Sequence, residues 1–291
     1  MNDYFIMPNP QKHFGEIRLP ASVAPTILTT DYKSPPLLIE IEKKMKYSKE
    51  NPLRVVTLCS GYDSQCMALD RLSKYDENFA YELIGWSEID KYAIQAHNVL
   101  YPQYSDRNLG DMSKINWKEV RDFDFLTYSV PCTDISQSGK QMGLSEGSGT
   151  RSSLLWFTRN AILEKRPKYL FLENVKALVS KKFMPDFQRW LDELASYGYA
   201  NYWKVLNATD FGVPQNRERV FCLSILKTED EPMPIFHFPR PFPLDKRLKD
   251  VVEKNEDGSP RKLEDKYYLS DKALEYFNRV DEDKTHGHNF K

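Results

Sequence analysis

Cysteine is scarce in this chain of 291 residues, with four in all, at positions 59, 66, 132 and 222. Their separations are too wide and uneven for a zinc ribbon or a small disulfide framework, so reduced thiols are expected and a metal is not. An excess of charge of either sign is also missing. Lysine and arginine number 41 and aspartate and glutamate 42, which excludes the global positive field that draws small basic modules onto a polyanion. Any contact with nucleic acid would have to come from a local patch. No apolar run approaches the roughly 18 residues that span a bilayer. The polar opening MNDYFIMPNPQKHF lacks the charged-then-apolar layout of a secretory signal. A cytosolic globular protein is expected, long enough for one large α/β domain with or without a small appendage.

What is present changes texture along the chain. Residues 1–50 are proline-rich and weakly periodic, which predicts an extended arm running into a helix at IEIEKKMKY. From Arg54 onward, short apolar runs alternate with amphipathic stretches, as strands and crossover helices do in a parallel sheet. Strands are predicted near 54–58, 82–86, 124–128, 168–172, 202–206 and 219–225, and helices over 64–75, 90–100, 152–164 and 183–197. The fold class is therefore α/β, with a mostly parallel central sheet and helices on both faces. After Phe238 the text turns proline-rich and then highly charged, which puts a boundary near residue 240 and separates 51–240 from 241–291.

Six positions in this alternation could carry chemistry. RVVTL runs into CSGYDSQCMALDRL, a strand–turn–helix in which Gly61 permits a tight turn and the helix start offers backbone N–H groups to a ligand. Asp63 and Ser64 stand where a dinucleotide fingerprint has glycine, which disfavours a close pyrophosphate but allows an adenosine-type ligand without phosphates. ELIGWSEID ends in Glu88, placed either to accept hydrogen bonds from ribose hydroxyls or as a solvated loop carboxylate. Asp111 in NLGDMSKI lies in the loop where a third strand would end, either close to where an adenine would sit or at the N-cap of a following turn. In DFLTYSVPCTDISQSGKQMGLSEGSGTRSSLLW, Cys132 follows a proline at a strand's carboxyl end and precedes a glycine-, serine- and threonine-rich stretch suited to a lid. PKYLFLENV delivers Glu173 and Asn174 at the next carboxyl end, and NATDFGVPQNRERVFCLSI supplies Arg217 and Arg219 around the start of an apolar strand.

In order and spacing, these segments resemble the cytosine-5 DNA methyltransferase family from about Arg54 to Leu226. TLCSG is similar to its first motif, SEID to the second, GDMSKI to the third, VPCTDIS with GKQMGL to the catalytic fourth, TRSSLLW to the fifth, LENV to the sixth and GVPQNRERVF to the eighth. The resemblance implies a Rossmann-like S-adenosylmethionine-dependent methyltransferase fold. It also implies transfer of a methyl group to carbon 5 of a cytosine flipped out of double-stranded DNA, in a bacterial or phage-encoded protein of the restriction-modification type. It casts Cys132 as the nucleophile that adds at carbon 6, because carbon 5 is too electron-poor to attack a sulfonium methyl unaided. Glu173 would face ring nitrogen 3 and the exocyclic amine, and Asn174 would fix the loop. Arg219 would contact the base carbonyl, with Arg217 nearer the phosphate, and both would lower the thiol pKa. For the donor, the resemblance implies Glu88 at the ribose hydroxyls, Asp111 at the adenine amine, Ile89 against the adenine ring, and the Ser60–Gly61 turn near the amino-acid portion.

The chain departs from the family pattern in places. Cys59 stands where phenylalanine is usual, glycines are fewer after Gly61, and Thr133 and Ile135 replace glutamine and phenylalanine after the nucleophile. The target-recognition domain and the ninth and tenth motifs are not recognisable after Leu226, although RLKDVVE with KYYLS resembles the entry to a recognition region and SVAPTILTTDYKSPPLLIE loosely resembles the neighbourhood of the ninth motif. A second polypeptide or a missing C-terminal half is the expectation. An RNA cytosine-5 methyltransferase on the same core, and a non-catalytic subunit of a split methyltransferase, are the alternatives.

Overall fold

The computed structural model describes residues 4–6, 18–20, 24–27, 37–39, 47–131, 151–228, 234–259, 261–262, 264 and 268–276. The chain divides into two compact units, Met1–Asp245 and Lys246–Lys291. In the first, β1 (Tyr4–Ile6) pairs antiparallel with β2 (Arg18–Pro20), and β3 (Ala24–Ile27) with β4 (Leu37–Ile39). Of the segment predicted as a helix at 39–47, Ile39 ends β4 and Tyr47 is a buried core residue, while 40–46 lies outside the described residues.

Six further strands form the central sheet: β5 (Leu53–Leu58), β6 (Tyr81–Ser87), β7 (Phe125–Tyr128), β8 (Tyr169–Val175), β9 (Tyr199–Asn207) and β10 (Glu218–Leu226). Their spatial order is β6-β5-β7-β8-β10-β9. The first four are mutually parallel, while β10 pairs antiparallel with both β8 and β9, so β10 alone is reversed. From β5 the chain passes to β6 on one side and returns to β7 on the other, which opens a crevice above the carboxyl ends of these strands. The reversal of β10 matters equally, because it brings that strand's first residues to the same edge.

Alternation along the strands divides the core into two layers. Val56, Leu58, Leu126, Tyr128, Leu170, Leu172, Val220 and Cys222 pack with residues of α3 (Thr158–Lys165) and α4 (Met184–Ser196). Val55, Phe125, Tyr169, Phe171, Phe221 and Leu223 pack with Cys66, Ala68, Leu69 and Leu72 of α1 (Ser64–Tyr75). Covered on both sides, these strands read in sequence as continuous apolar runs. In α4, Phe187, Trp190, Leu191 and Leu194 recur at helical spacing and are all buried, and Pro185 in the first turn removes no needed donor. The second unit contains the short 3-10 turn Leu248–Asp250, held by the Arg247 N–H on Asp250 Oδ2 at 2.7 Å, and a helical turn at 271–276.

Two predicted features differ. The strand anticipated before Asp111 is reduced to an isolated parallel bridge between Trp86 and Asn108, because residues Pro102–Arg107 wind into a 3-10 helix after α2 (Lys91–Leu100). The helix anticipated at 152–164 opens as a 3-10 turn over Arg151–Phe157 and becomes α-helical only from Thr158.

Trp190 is fully buried, donates its indole N–H to Tyr128 Oη at 3.2 Å and meets Trp156 edge-on at 5.7 Å. Trp190→Ala is expected to lower unfolding free energy by about 3–5 kcal/mol, read by urea denaturation.

Candidate active site

Every residue singled out from the sequence that falls within the described residues stands at, or in a loop beside, the carboxyl edge of the sheet. Glu173 and Asn174 are near the end of β8. The antiparallel register sets Glu173 opposite Phe221 and Val175 opposite Arg219, which makes Glu173 and Arg219 diagonal neighbours on one face. Arg219 Nε lies 3.2 Å from Glu173 Oε1, and Arg219 Nη1 donates to the Glu218 carbonyl at 2.8 Å. The Glu173 side chain keeps 24% of its surface accessible. Burial nevertheless pushes its carboxyl above the usual range, against the opposing pull of the Arg219 and Arg217 guanidiniums. Arg217 is exposed and precedes β10, with its backbone N–H on Asn207 Oδ1 at 3.0 Å.

Asn174 is buried and donates its amide to the Val130 carbonyl at 3.1 Å, while its Oδ1 accepts the Val175 N–H at 2.9 Å. That bond fastens the end of β8 to the chain just beyond β7. Cys132 lies outside the described residues, as does the glycine-rich stretch from Thr133 to Thr150; Pro131 is the last residue described before them. The other three cysteines are held as neutral thiols, since burial pushes Cys59 and Cys222 up to about 12 and Cys66 well above its ordinary value.

Beside this group lies a second one, at the ends of β5 and β6. The turn after β5 is left-handed at Cys59, Gly61 and Asp63, with φ of 51°, 58° and 67°. Only at Gly61 is that conformation free of a side-chain penalty, and a Cβ there would meet nothing within 4 Å. Gly61 N–H donates to Glu88 Oε2 at 3.0 Å, and Glu88 Oε1 accepts the N–H groups of Ile89 and Asp90 at 2.8 and 2.9 Å. Ser60 Oγ is buried and has no hydrogen-bond partner among the described residues, an atom that a polar ligand group would satisfy. Ile89 is 72% exposed. Asp111 caps the 3-10 turn Met112–Lys114, and the Ser113 hydroxyl and N–H hold its carboxyl below the usual range. An orphaned hydroxyl, a fixed carboxylate, an exposed aliphatic side chain and an ionised aspartate fit an uncharged nucleoside with a polar amino-acid tail.

Sequence reading missed the groups that hold these residues in place. Asn108 accepts the N–H groups of Glu88 and Gly110 at 3.3 and 2.9 Å and donates to the Glu88 carbonyl at 3.1 Å, closing the loop around Glu88. Gln65 donates to Ser129 Oγ at 3.1 Å and so joins α1 to the end of β7. No local pattern marks either residue.

The fold is that of solved methyltransferases: a Spodoptera frugiperda DNMT2 mutant superimposes with TM-score 0.59 at 17% identity over 78% of this chain and 65% of its own, and the Entamoeba histolytica methyltransferase EhMeth with 0.56 at 16% over 77% and 64%. The model for C-5 cytosine-specific DNA methylase matches residues 53–291, and the chain belongs to that family. Type II methyltransferase M2.ScrFI of Lactococcus lactis subsp. cremoris is 45% identical over 68% of this chain and 50% of its own length. Orphan methyltransferase M.SssI of Spiroplasma monobiae is 44% identical over 45% of this chain and 35% of its own. The chain thus spans about half the length, or less, of these two curated relatives. Among the described residues no helix is long and apolar enough to cross a membrane.

The raised Glu173 carboxyl gives a pH signature. The folded chain holds this proton more tightly than the unfolded chain, so the stability contributed by the protonated form is complete below the ordinary glutamate range and is lost as pH rises through the raised value. Glu173→Gln, which cannot ionise, is expected to be more stable than the wild type at neutral pH and equal to it below about pH 4, as read from urea midpoints across that range. A wild type more stable than the variant at neutral pH contradicts this.

Proposed function

We propose that this chain carries the catalytic core of a DNA (cytosine-5-)-methyltransferase acting on a cytosine flipped out of double-stranded DNA. Residues 51–240 serve as the catalytic domain and 241–291 as the start of a target-recognition region. A second polypeptide supplying further recognition and donor-closing segments is the partner proposed besides DNA. The observation that carries this reading is the meeting, at one sheet edge, of the Glu173–Arg219 pair with the Asn174–Val130 bond that leads into Pro131 and Cys132.

In this reading the Cys132 thiolate adds to carbon 6 of the cytosine and makes carbon 5 electron-rich; once carbon 5 carries the methyl group it gives up its proton to solvent, the carbon 6–sulfur bond breaks, and the ring double bond and the free thiolate return. Glu173, whose carboxyl burial raises above its usual range, gives a proton to ring nitrogen 3 and accepts from the exocyclic amine, so negative charge does not accumulate on the ring. Arg219 serves both Glu173 and the base carbonyl, and Arg217 meets the phosphate. Asn174 keeps the end of β7 against β8 so that nucleophile and acid stay in step. S-adenosylmethionine supplies the electrophilic methyl group when bound. Glu88 accepts from its ribose hydroxyls, Asp111 from the adenine amine, Ile89 covers the adenine, and Ser60 with Gly61 faces the amino-acid portion.

The test pairs binding with transfer. Titration with S-adenosylhomocysteine should show affinity falling about tenfold to a hundredfold in Glu88→Ala, the worth of hydrogen bonds to a charged group. Methyl label from S-adenosylmethionine should enter cytosine of double-stranded DNA, and not RNA, only when Cys132 is intact. Unchanged affinity in Glu88→Ala, or label transferred by Cys132→Ala, overturns the assignment.

A further inference from the structure

The turn that presents Ser60 and Gly61 is held from behind by a buried acid–imidazole pair that the reaction does not use. Asp63 ends the turn in the left-handed region, at φ 67° and ψ 60°, and its side chain is fully buried. Its Oδ1 accepts the Cys66 N–H at 3.4 Å and so caps α1, while Oδ2 accepts the Thr57 hydroxyl of β5 at 2.8 Å. The same Oδ2 lies 3.6 Å from His97 Nε2, and the His97 side chain also has no accessible surface. His97 is the buried residue of α2, an otherwise exposed or half-exposed helix. Its ring stacks on Trp86 of β6 with centroids 3.6 Å apart and an angle of 17°, and neither ring nitrogen has a hydrogen-bond partner among the described residues.

The geometry joins two halves of one site. Asp63 belongs to the turn carrying Ser60 and Gly61, whereas His97 belongs to the β6–α2 segment carrying Glu88. A non-glycine residue in the left-handed region persists only where its surroundings over-determine it. Here the surroundings are Thr57, the start of α1 and the imidazole. A fully buried carboxyl group in turn demands hydrogen-bonding partners, which the Thr57 hydroxyl and the Cys66 N–H supply. On the other side of the turn from this contact, the Gly61 N–H stands 3.0 Å from Glu88 Oε2.

We propose that His97, acting through Asp63, is a positioning residue for donor binding: it holds the Ser60–Gly61 turn at its working distance from Glu88. The inference rests on the donor-site reading above and goes beyond it, since neither side chain touches the donor.

The test uses the whole chain and two independent readouts, amide hydrogen exchange at residues 60–63 without ligand and affinity for S-adenosylhomocysteine. His97→Phe keeps a ring on Trp86 and removes Nε2. It is expected to speed exchange in the turn and weaken affinity, each by about threefold or more, the coupling found between residues in contact. His97→Gln, which keeps a donor N–H, should recover most of both. In an Asp63→Gly background, where the turn is free of the side-chain penalty and has no carboxylate to hold, His97→Phe should add nothing to either readout. Equal effects of His97→Phe in both backgrounds, equal losses in Phe and Gln, or unchanged exchange in the turn would overturn the proposal. Should Glu88→Ala leave affinity unchanged while His97→Phe still speeds exchange, the donor-site reading fails and the hold on the turn stands.

Discussion

A carboxyl largely withdrawn from water is drawn both to its proton and to a cation, and Glu173 feels both pulls. Arg219 reaches it across the β8–β10 pair at 3.2 Å, yet burial still wins and the carboxyl stays above its ordinary range. That contact exists only because β10 runs against its neighbours. Were β10 parallel to β8, Arg219 at its start would lie at the opposite edge of the sheet. The reversed strand thus places a cation among the carboxyl ends of β5, β6, β7 and β8, where the remaining site residues gather.

The two groups along this edge differ in how they are held. Around Glu173 the scaffold is the sheet itself, with Asn174 stapling β8 to the backbone after β7. Around Glu88 the scaffold is a set of loops, closed by Asn108 on one side and by the left-handed turn on the other. Loop sites need anchors that strands do not. Asn108 and the buried pair of Asp63 and His97 supply them here.

Much of this was legible in the sequence, for identifiable reasons. Strands β5, β7, β8 and β10 are short apolar runs because both faces are covered, whereas the edge strand β9 leaves Trp203 and Lys204 exposed, and α4 shows its buried stripe through Phe187, Trp190, Leu191 and Leu194. Glu173 and Asn174 are legible because polar residues end so apolar a run. In the sequence Asp63 marks only a missing glycine, because its partners Thr57 and His97 come from β5 and α2, and that meeting depends on how the elements pack. Asn108 was invisible for the same reason: its hydrogen bonds run to a segment twenty residues away. The anticipated third strand failed where Pro102 starts a 3-10 helix and too little chain is left for a ladder.

The central claim is that this sheet edge supports covalent attack by Cys132 on a cytosine activated by Glu173. The most direct measurement is to incubate the chain with S-adenosylmethionine and double-stranded DNA containing 5-fluorocytosine, whose carbon 5 cannot release the proton needed to free the enzyme, beside Cys132→Ala and Glu173→Gln controls. A covalent protein–DNA adduct, seen by denaturing electrophoresis with the wild type, absent with Cys132→Ala and strongly reduced with Glu173→Gln, is the predicted result. An adduct that persists without Cys132, or none from a wild-type chain shown to bind both donor and DNA, would contradict it.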